Sequence, residues 1–329
     1  MKMILERLFQ QQKLSREEAK EILGFISEGK YNTSEVSAFL TVFRMRSITV
    51  DELSGFRDGM IERCIPINLD EFNPVDLCGT GGDGKDTFNI STLSSFITAG
   101  AGLKVAKHGN YGVSSSCGSS NVMEHLGYKF TNQIDILKQQ IDKSGICFLH
   151  APLFHPSMKN VAPIRRDIGV KTFFNMLGPM VNPASPKNQM VGVYSMELQR
   201  YYKYIYEQEN KNYRIVHSMD GYDEISLTAP TKVISPDKEY MLSPEIISKE
   251  KINPEDLKGG KTVAESAKIF TSILNGEGTY AQNRAVIANA AMAINAVHSE
   301  KSFEDCLNMA QESLESKKAQ QALKTLISS

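Results

Sequence analysis

Residues 77–92 read LCGTGGDGKDTFNIST, with four glycines in six positions between an apolar run and a helix-like segment. Glycine lets a backbone approach a ligand closely or take positive φ, so this corner is read as a ligand-holding loop. Two familiar schemes compete for it. Gly79-x-Gly81-x-x-Gly84 spells the dinucleotide fingerprint, which also needs an acid about 20 residues later to hold a ribose hydroxyl. The next strand candidate, Leu103 to Lys107, ends on lysine instead. Gly79 to Lys85 also fits the nucleotide-triphosphate loop, until Asp86 takes the place of the hydroxyl that binds Mg²⁺. Each match fails at a chemically necessary residue, which leaves a phosphate-binding loop of another scheme.

Outward from this loop, short apolar runs (VDLC, LKVAK, ICFLHA, MVGVYS, YRIVHS) alternate with longer helical patterns from Pro74 onward. Strands spaced by helices imply right-handed crossovers and a mainly parallel sheet, whose ligands collect at the carboxyl ends of the strands. The part beyond Gly259 reads as helical, with NRAVIANAAMAINAV as a buried small-residue helix. Residues 1–70 have a different texture. Three capping signals, Ser15-x-x-Glu18, Asn32-x-x-Glu35 and Thr49-x-x-Glu52, start helices there. Val36, Phe39, Leu40 and Phe43 form one apolar stripe, used either as a bundle core or as a dimerisation surface. The expected class is α/β: a small all-α domain over residues 1–70, then a large α/β domain over 71–329 with a mainly parallel central sheet and surrounding helices.

Composition narrows the function. The 329 residues are 41% hydrophobic and 23% charged, as in water-soluble globular proteins. A net charge of −1 gives no global field that would favour nucleic acid or an anionic membrane. Five scattered cysteines without any C-x-x-C argue for a reducing compartment and against structural zinc. Glu6 and Arg7 interrupt what a signal peptide would need as its apolar core, and no apolar run approaches a membrane span. The expected location is cytoplasmic.

Five loops carry the chemistry. The first continues the glycine loop into Thr87-Phe88-Asn89-Ile90-Ser91-Thr92, hydroxyls and an amide at a helix start, where free N–H groups make an anion site. The second, Lys107 to Ser120, combines a cation, an imidazole, glycines and serines after a strand. A thiol nucleophile at Cys117, with His108 nearby, has no supporting signature. The third runs from His155 to Lys159 and on to Arg165-Arg166-Asp167. It offers either a solvated face or a guanidinium grip on a carboxylate. The fourth, Phe174 to Pro179, breaks the chain with Gly-Pro. The fifth, Asp220-Gly-Tyr-Asp-Glu224-Ile-Ser-Leu, follows YRIVHS and sets three carboxylates within five residues, a donor set suited to Mg²⁺.

Taken together, GTGGDG with TFNIST, KHGN with its serine-rich continuation, HPSMKNVAPIRRDIGVKTFFNMLGPMVNP and DGYDEISL resemble the anthranilate phosphoribosyltransferase family over essentially the whole length. That family shares its fold with pyrimidine nucleoside phosphorylases. The resemblance implies a substrate cleft between the two domains, a segment near residues 165–183 joining the helical domain, and a homodimer through that domain. It implies transfer of the 5-phosphoribosyl group from phosphoribosyl pyrophosphate (PRPP) to the amine of anthranilate, the second step of tryptophan biosynthesis, with two Mg²⁺ ions. Carried over by motif, PRPP would meet Gly79, Gly82, Asp83, Thr87, Asn89, Ile90, Ser91 and Thr92. It would also meet Lys107, His108, Gly109, Asn110, Tyr111, Gly112, Val113, Ser114, Ser115 and Ser119. Anthranilate would meet Gly79, Asn110, Arg165, His108, His155 and Pro179. Ser91, Asp223 and Glu224 would hold the metal.

This chain departs from the family after KHGN, where R-[SA]-V-S-S-K-S-G-S-A-D is usual. Tyr111, Gly112, Ser116, Cys117, Ser120 and Asn121 intervene, removing two cations and one acid but keeping the backbone donors and Ser119. A phosphorylase of the same fold would need no carboxylate pair for Mg²⁺, so DGYDE and Asn110 speak against it. A non-catalytic relative that binds nucleic acid would want a basic groove.

Overall fold

The computed structural model describes residues 1–112 and 117–329. The chain divides into two compact units, residues 1–67 with 151–183, and residues 68–150 with 184–329.

The first unit is helical: α1 (Lys2–Phe9), α2 (Arg16–Ser27), α3 (Thr33–Met45) and α4 (Val50–Glu62), joined by short helices within residues 151–183. All three capping signals form reciprocal boxes, Ser15 with Glu18, Asn32 with Glu35 and Thr49 with Glu52. Each satisfies two N–H groups that the first helical turn leaves without partners. Glu52 does more than cap. Its buried carboxylate accepts from Leu14 N–H (2.9 Å) and from both ends of the Arg46 guanidinium (3.0 and 2.5 Å). The stripe residues Val36, Phe39, Leu40 and Phe43 are buried, and Phe39, Phe43 and Phe56 surround Phe173. Phe56 and Phe173 stack at 4.1 Å. This aromatic cluster is the physical reason that residues 151–183, distant in sequence, belong to this unit.

The second unit is built on a seven-stranded sheet of order β3-β2-β1-β4-β5-β6-β7. Its strands are β1 (Val75–Gly79), β2 (Val105–Gly109), β3 (Ile146–His150), β4 (Asn188–Gly192), β5 (Asn212–Ser218), β6 (Thr231–Ile234) and β7 (Glu239–Leu242). The first five are parallel, and they fall on the five apolar runs. β6 and β7 add an antiparallel hairpin that the apolar-run pattern did not reveal. The buried helix Tyr280–Val297 packs its alanines against α5 (Ile90–Gly100), where small side chains allow close approach. From β1 the chain goes to β2 on one side, while β4 lies on the other. The carboxyl ends of β1 and β4 are therefore the switch point at which ligands collect.

Candidate active site

At that switch point Gly79 of β1 lies in register with Gly192 of β4. A Cβ on Gly79 would stand 2.5 Å from Asp223 Oδ2, and one on Gly192 would stand 1.5 Å from the Asp223 carbonyl oxygen. Gly192 is thus required by the close passage of the Asp223 backbone, whereas a side chain at Gly79 would displace the Asp223 carboxylate. Beyond Gly79 the loop takes positive φ at Gly81 (63°), Gly82 (77°) and Gly84 (75°), a backbone that other residues rarely adopt. The fold closes on itself here. Gly81 N–H donates to Asp223 Oδ2 (2.7 Å), Thr87 Oγ1 donates to Glu224 Oε2 (3.2 Å), and Ser91 N–H donates to Glu224 Oε1 (3.1 Å). Asp223 and Glu224 come from the turn after β5, yet they sit on the glycine loop and the first turn of α5.

Three carboxylates stand in this place, but they are not the three adjacent in sequence. Asp220 is occupied by the hydroxyl of Thr228 (2.5 Å). Its place near the other two is taken by Asp83 of the glycine loop. Asp83 Oδ1 accepts from Lys85 N–H (3.1 Å), and its buried Oδ2 has no hydrogen-bond partner. Burial, then the charge of Asp83, pushes the Asp223 carboxyl up to about 7. Burial, then Asp223 and Asp83, raises Glu224 well above the ordinary carboxylate range. Among the described residues no lysine, arginine or histidine forms an ion pair with any of the three.

The second loop is tied to the first. Asn89, at the cap position of α5, donates from Nδ2 to the Cys117 carbonyl (3.1 Å). Asn121 Oδ1 accepts from both Gly112 N–H (2.9 Å) and Gly118 N–H (3.0 Å), joining the two ends of the intervening segment. Asn110 is exposed, and its carbonyl accepts from Ser119 Oγ (3.3 Å) and Ser120 N–H (3.1 Å). The Tyr111 hydroxyl donates to Glu124 (3.3 Å) and its ring stands edge-on to His150 at 4.9 Å. A Cβ on Gly109 would come 2.5 Å from Ser119 Oγ. Val113, Ser114 and Ser115 lie outside the described residues.

Some expected contacts are placed differently. Lys107 is buried (2% exposed) and its ammonium donates to the Leu77 carbonyl (2.6 Å), inside the sheet rather than over the loop. His108 is buried too, with its N–H on Asp76 Oδ1 (3.2 Å). Ile90 and Thr92 are buried on α5. The remaining candidates belong to the helical unit. His155 is buried, its Nε2–H donating to the Val181 carbonyl (2.9 Å), and burial lowers its pKa to about 4, so the ring is neutral. Pro179 is buried in the turn Gly178–Val181. Arg165, on the short helix Ala162–Ile168, lies over the Phe174 ring at 5.1 Å. Desolvation lowers its pKa, and among the described residues no carboxylate pairs with it.

The profile of the glycosyl transferase family helical bundle domain matches residues 2–64, and that of the family's a/b domain matches residues 71–320. The anthranilate phosphoribosyltransferase of Flavobacterium johnsoniae is 60% identical over 326 residues, covering 99% of this chain and 98% of that protein. The chain belongs to the anthranilate phosphoribosyltransferase family. The Bacteroides thetaiotaomicron member is 50% identical over 327 residues, covering 99% of this chain and 98% of that protein. The crystal structure of the Thermus thermophilus member superposes with a TM-score of 0.90 at 31% identity, over 98% of each chain. The Saccharomyces cerevisiae member, solved in complex with PRPP and Mg, gives 0.89 at 26% identity, over 98% of this chain and 96% of that one.

As a member of that family, this chain has a donor set that fits Mg²⁺. The oxygens are hard ligands, the Asp83 Oδ2 atom is buried without a partner, and burial followed by carboxylate repulsion raises Asp223 and Glu224, which a bound cation would offset. Among the described residues no group of three or more His, Cys, Asp and Glu is arranged to cage an ion alone. The family motifs did not point to two supporting residues. Asn289 of the buried helix exchanges both hydrogen bonds with the Ile225 backbone (3.0 and 3.0 Å), and Ser218 Oγ donates to the Glu224 carbonyl (2.6 Å). Asn289, the middle of three asparagines in an otherwise alanine-rich helical pattern, was the available signal for the first.

Proposed function

We propose that this chain transfers the 5-phosphoribosyl group of PRPP to the amine of anthranilate and releases pyrophosphate, in tryptophan biosynthesis. The observation that carries the reading is the buried carboxylate cluster, held by the glycine loop and the start of α5 and without an ion-paired lysine, arginine or histidine among the described residues. The amine nitrogen forms a bond to C1′ as the C1′–O bond to pyrophosphate breaks, and the new ammonium then loses a proton. No protein nucleophile is needed.

The chain's part is to position two substrates and to hold developing charge. The glycine loop from Gly79 to Asp83 is assigned to the pyrophosphate end of PRPP, and Thr87, Asn89 and Ser91 are assigned to its phosphates at the helix start. Ser91, Asp223 and Glu224 are assigned to Mg²⁺, with two ions per site; when bound, Mg²⁺ neutralises charge on the leaving group. Asn110 and Gly79 are assigned to anthranilate, and Arg165, which has no acidic partner among the described residues, to the anthranilate carboxylate. His108, His155 and Pro179 are assigned to the aromatic's path.

Homodimerisation through the helical unit is part of the same reading, supported by the exposed Met3, Phe9 and Met45. So is a cytoplasmic location; among the described residues no helix is long and apolar enough to cross a membrane. The test is anthranilate fluorescence followed in time with purified protein, PRPP and Mg²⁺, with a chelator as control. A decay that needs both PRPP and Mg²⁺ supports the assignment. A folded protein that leaves anthranilate untouched refutes it.

A further inference from the structure

Near the amino-terminal end of β5, the opposite end from the carboxylates, lies a cavity of about 540 Å³ in the α/β unit. That is the size of an ordinary small-molecule site. One wall is Arg214, only 5% exposed. Its guanidinium makes three hydrogen bonds, from Nε to Asn295 Oδ1 (2.9 Å), from Nη2 to the Asn295 carbonyl (2.8 Å) and from Nη1 to the Tyr213 carbonyl (2.9 Å). All three acceptors are neutral. A guanidinium carries five N–H donors, so two remain. Among the described residues no carboxylate forms an ion pair with Arg214, and burial lowers its pKa. The exposed carboxylate of Asp237 acts on Arg214 through its charge but without an ion pair, and an anion on the remaining donors would offset more of the cost of burying the cation.

The rest of the lining has the same character. Lys238 and Lys301 border the cavity and have no ion pair among the described residues. The single acid, Asp237, is engaged by the Ser235 hydroxyl (2.7 Å). Met241, Ile246 and Phe303 give the cavity an apolar side. Inorganic anions would use only half of this surface. We propose that the cavity binds a small carboxylate with a short apolar body, its two oxygens on the free donors of Arg214 and its body against Met241 and Phe303. This site is separate from the phosphoribosyl-transfer site and does not depend on how that site is assigned.

Met241 is a reporter inside the cavity. With methyl-¹³C-methionine protein, its resonance is assigned by Met241→Leu, and hexanoate, hexanol and inorganic phosphate are titrated separately. The expected result is a saturable shift of the Met241 methyl with hexanoate only. Arg214→Met should weaken hexanoate at least about tenfold, the scale of a bidentate charged contact. Should that variant fail to fold, the exposed pair Lys238→Ala and Lys301→Ala should weaken it several-fold, with the difference fading at high salt. A Met241 methyl that stays in place up to about 10 mM hexanoate overturns the proposal. So does an affinity unchanged in the lysine pair. An equal response to hexanol removes the anion from the argument, and an equal response to phosphate removes the apolar body; either also overturns it.

Discussion

Asn289→Leu tests whether the buried helix sets the position of the Asp223 and Glu224 carboxylates. Asn289 is 1% exposed, and its amide pairs with both the N–H and the carbonyl of Ile225, the residue after Glu224. Leucine keeps most of the volume and removes the partner for two buried backbone groups. Each orphaned group costs about 1–3 kcal/mol, so the pair should cost about 2–6 kcal/mol. That is a large share of the roughly 5–15 kcal/mol that holds a typical domain. Urea unfolding measures the loss directly. The functional consequence is separate: with Ile225 released, Asp223 and Glu224 lose their fixed place over Gly81, Thr87 and Ser91. The Mg²⁺ concentration for half-maximal anthranilate turnover should then rise about tenfold, a loss of about 1.4 kcal/mol of pre-organisation. A variant that unfolds within about 1 kcal/mol of the parent would refute the hydrogen-bond argument. One that loses stability but keeps its Mg²⁺ midpoint would confine Asn289 to core packing.

Other outcomes follow from the same geometry. Asp223→Asn should lower turnover about 10²–10³-fold, the scale of losing one electrostatic stabiliser; near-parental rates at limiting Mg²⁺ would remove Asp223 from the metal. Arg165→Ala should raise the anthranilate KM about ten- to a hundredfold with little change in the PRPP KM, and steady-state kinetics in both substrates separates the two. Gly192→Ala places a Cβ on the Asp223 backbone, so thermal melting and turnover should both fall, by about 1–3 kcal/mol or more in stability; an unchanged melt contradicts the close passage. His150 and His155 both have pKa values lowered from 6.5 to about 4 by burial. Because their folded forms bind fewer protons than the unfolded chain, stability should fall as pH drops from about 6.5 to about 4, by about 3 kcal/mol for each. Replacing either with glutamine should flatten that part of the acid-unfolding curve.

The sequence by itself determined the elements and much of the local chemistry. Apolar runs marked the five parallel strands because strands buried on both faces need continuous apolar residues. Capping boxes marked the helix starts because their donors and acceptors lie only three residues apart. The glycine loop was legible because left-handed backbone selects glycine. The β6–β7 hairpin was missed, since β6 is only four residues long with Lys232 inside it, and β7 is mostly exposed at Glu239 and Met241, so neither carries an apolar run.

Contacts between distant segments were not legible in the same way. That Asp83, not Asp220, stands with Asp223 and Glu224 depends on β1 and β5 flanking β4. Gly192 is needed only because Asp223 crosses β4 there. Lys107 reads as a phosphate cation by type, yet its ammonium donates to the Leu77 carbonyl of the neighbouring strand, because β2 is buried on both faces and a buried charge needs a polar partner close by. The aromatic cluster around Phe173 and the clasp of Asn289 on Ile225 join residues more than 60 positions apart. Local sequence selects backbone conformation; only the assembled sheet and helices decide which side chains meet.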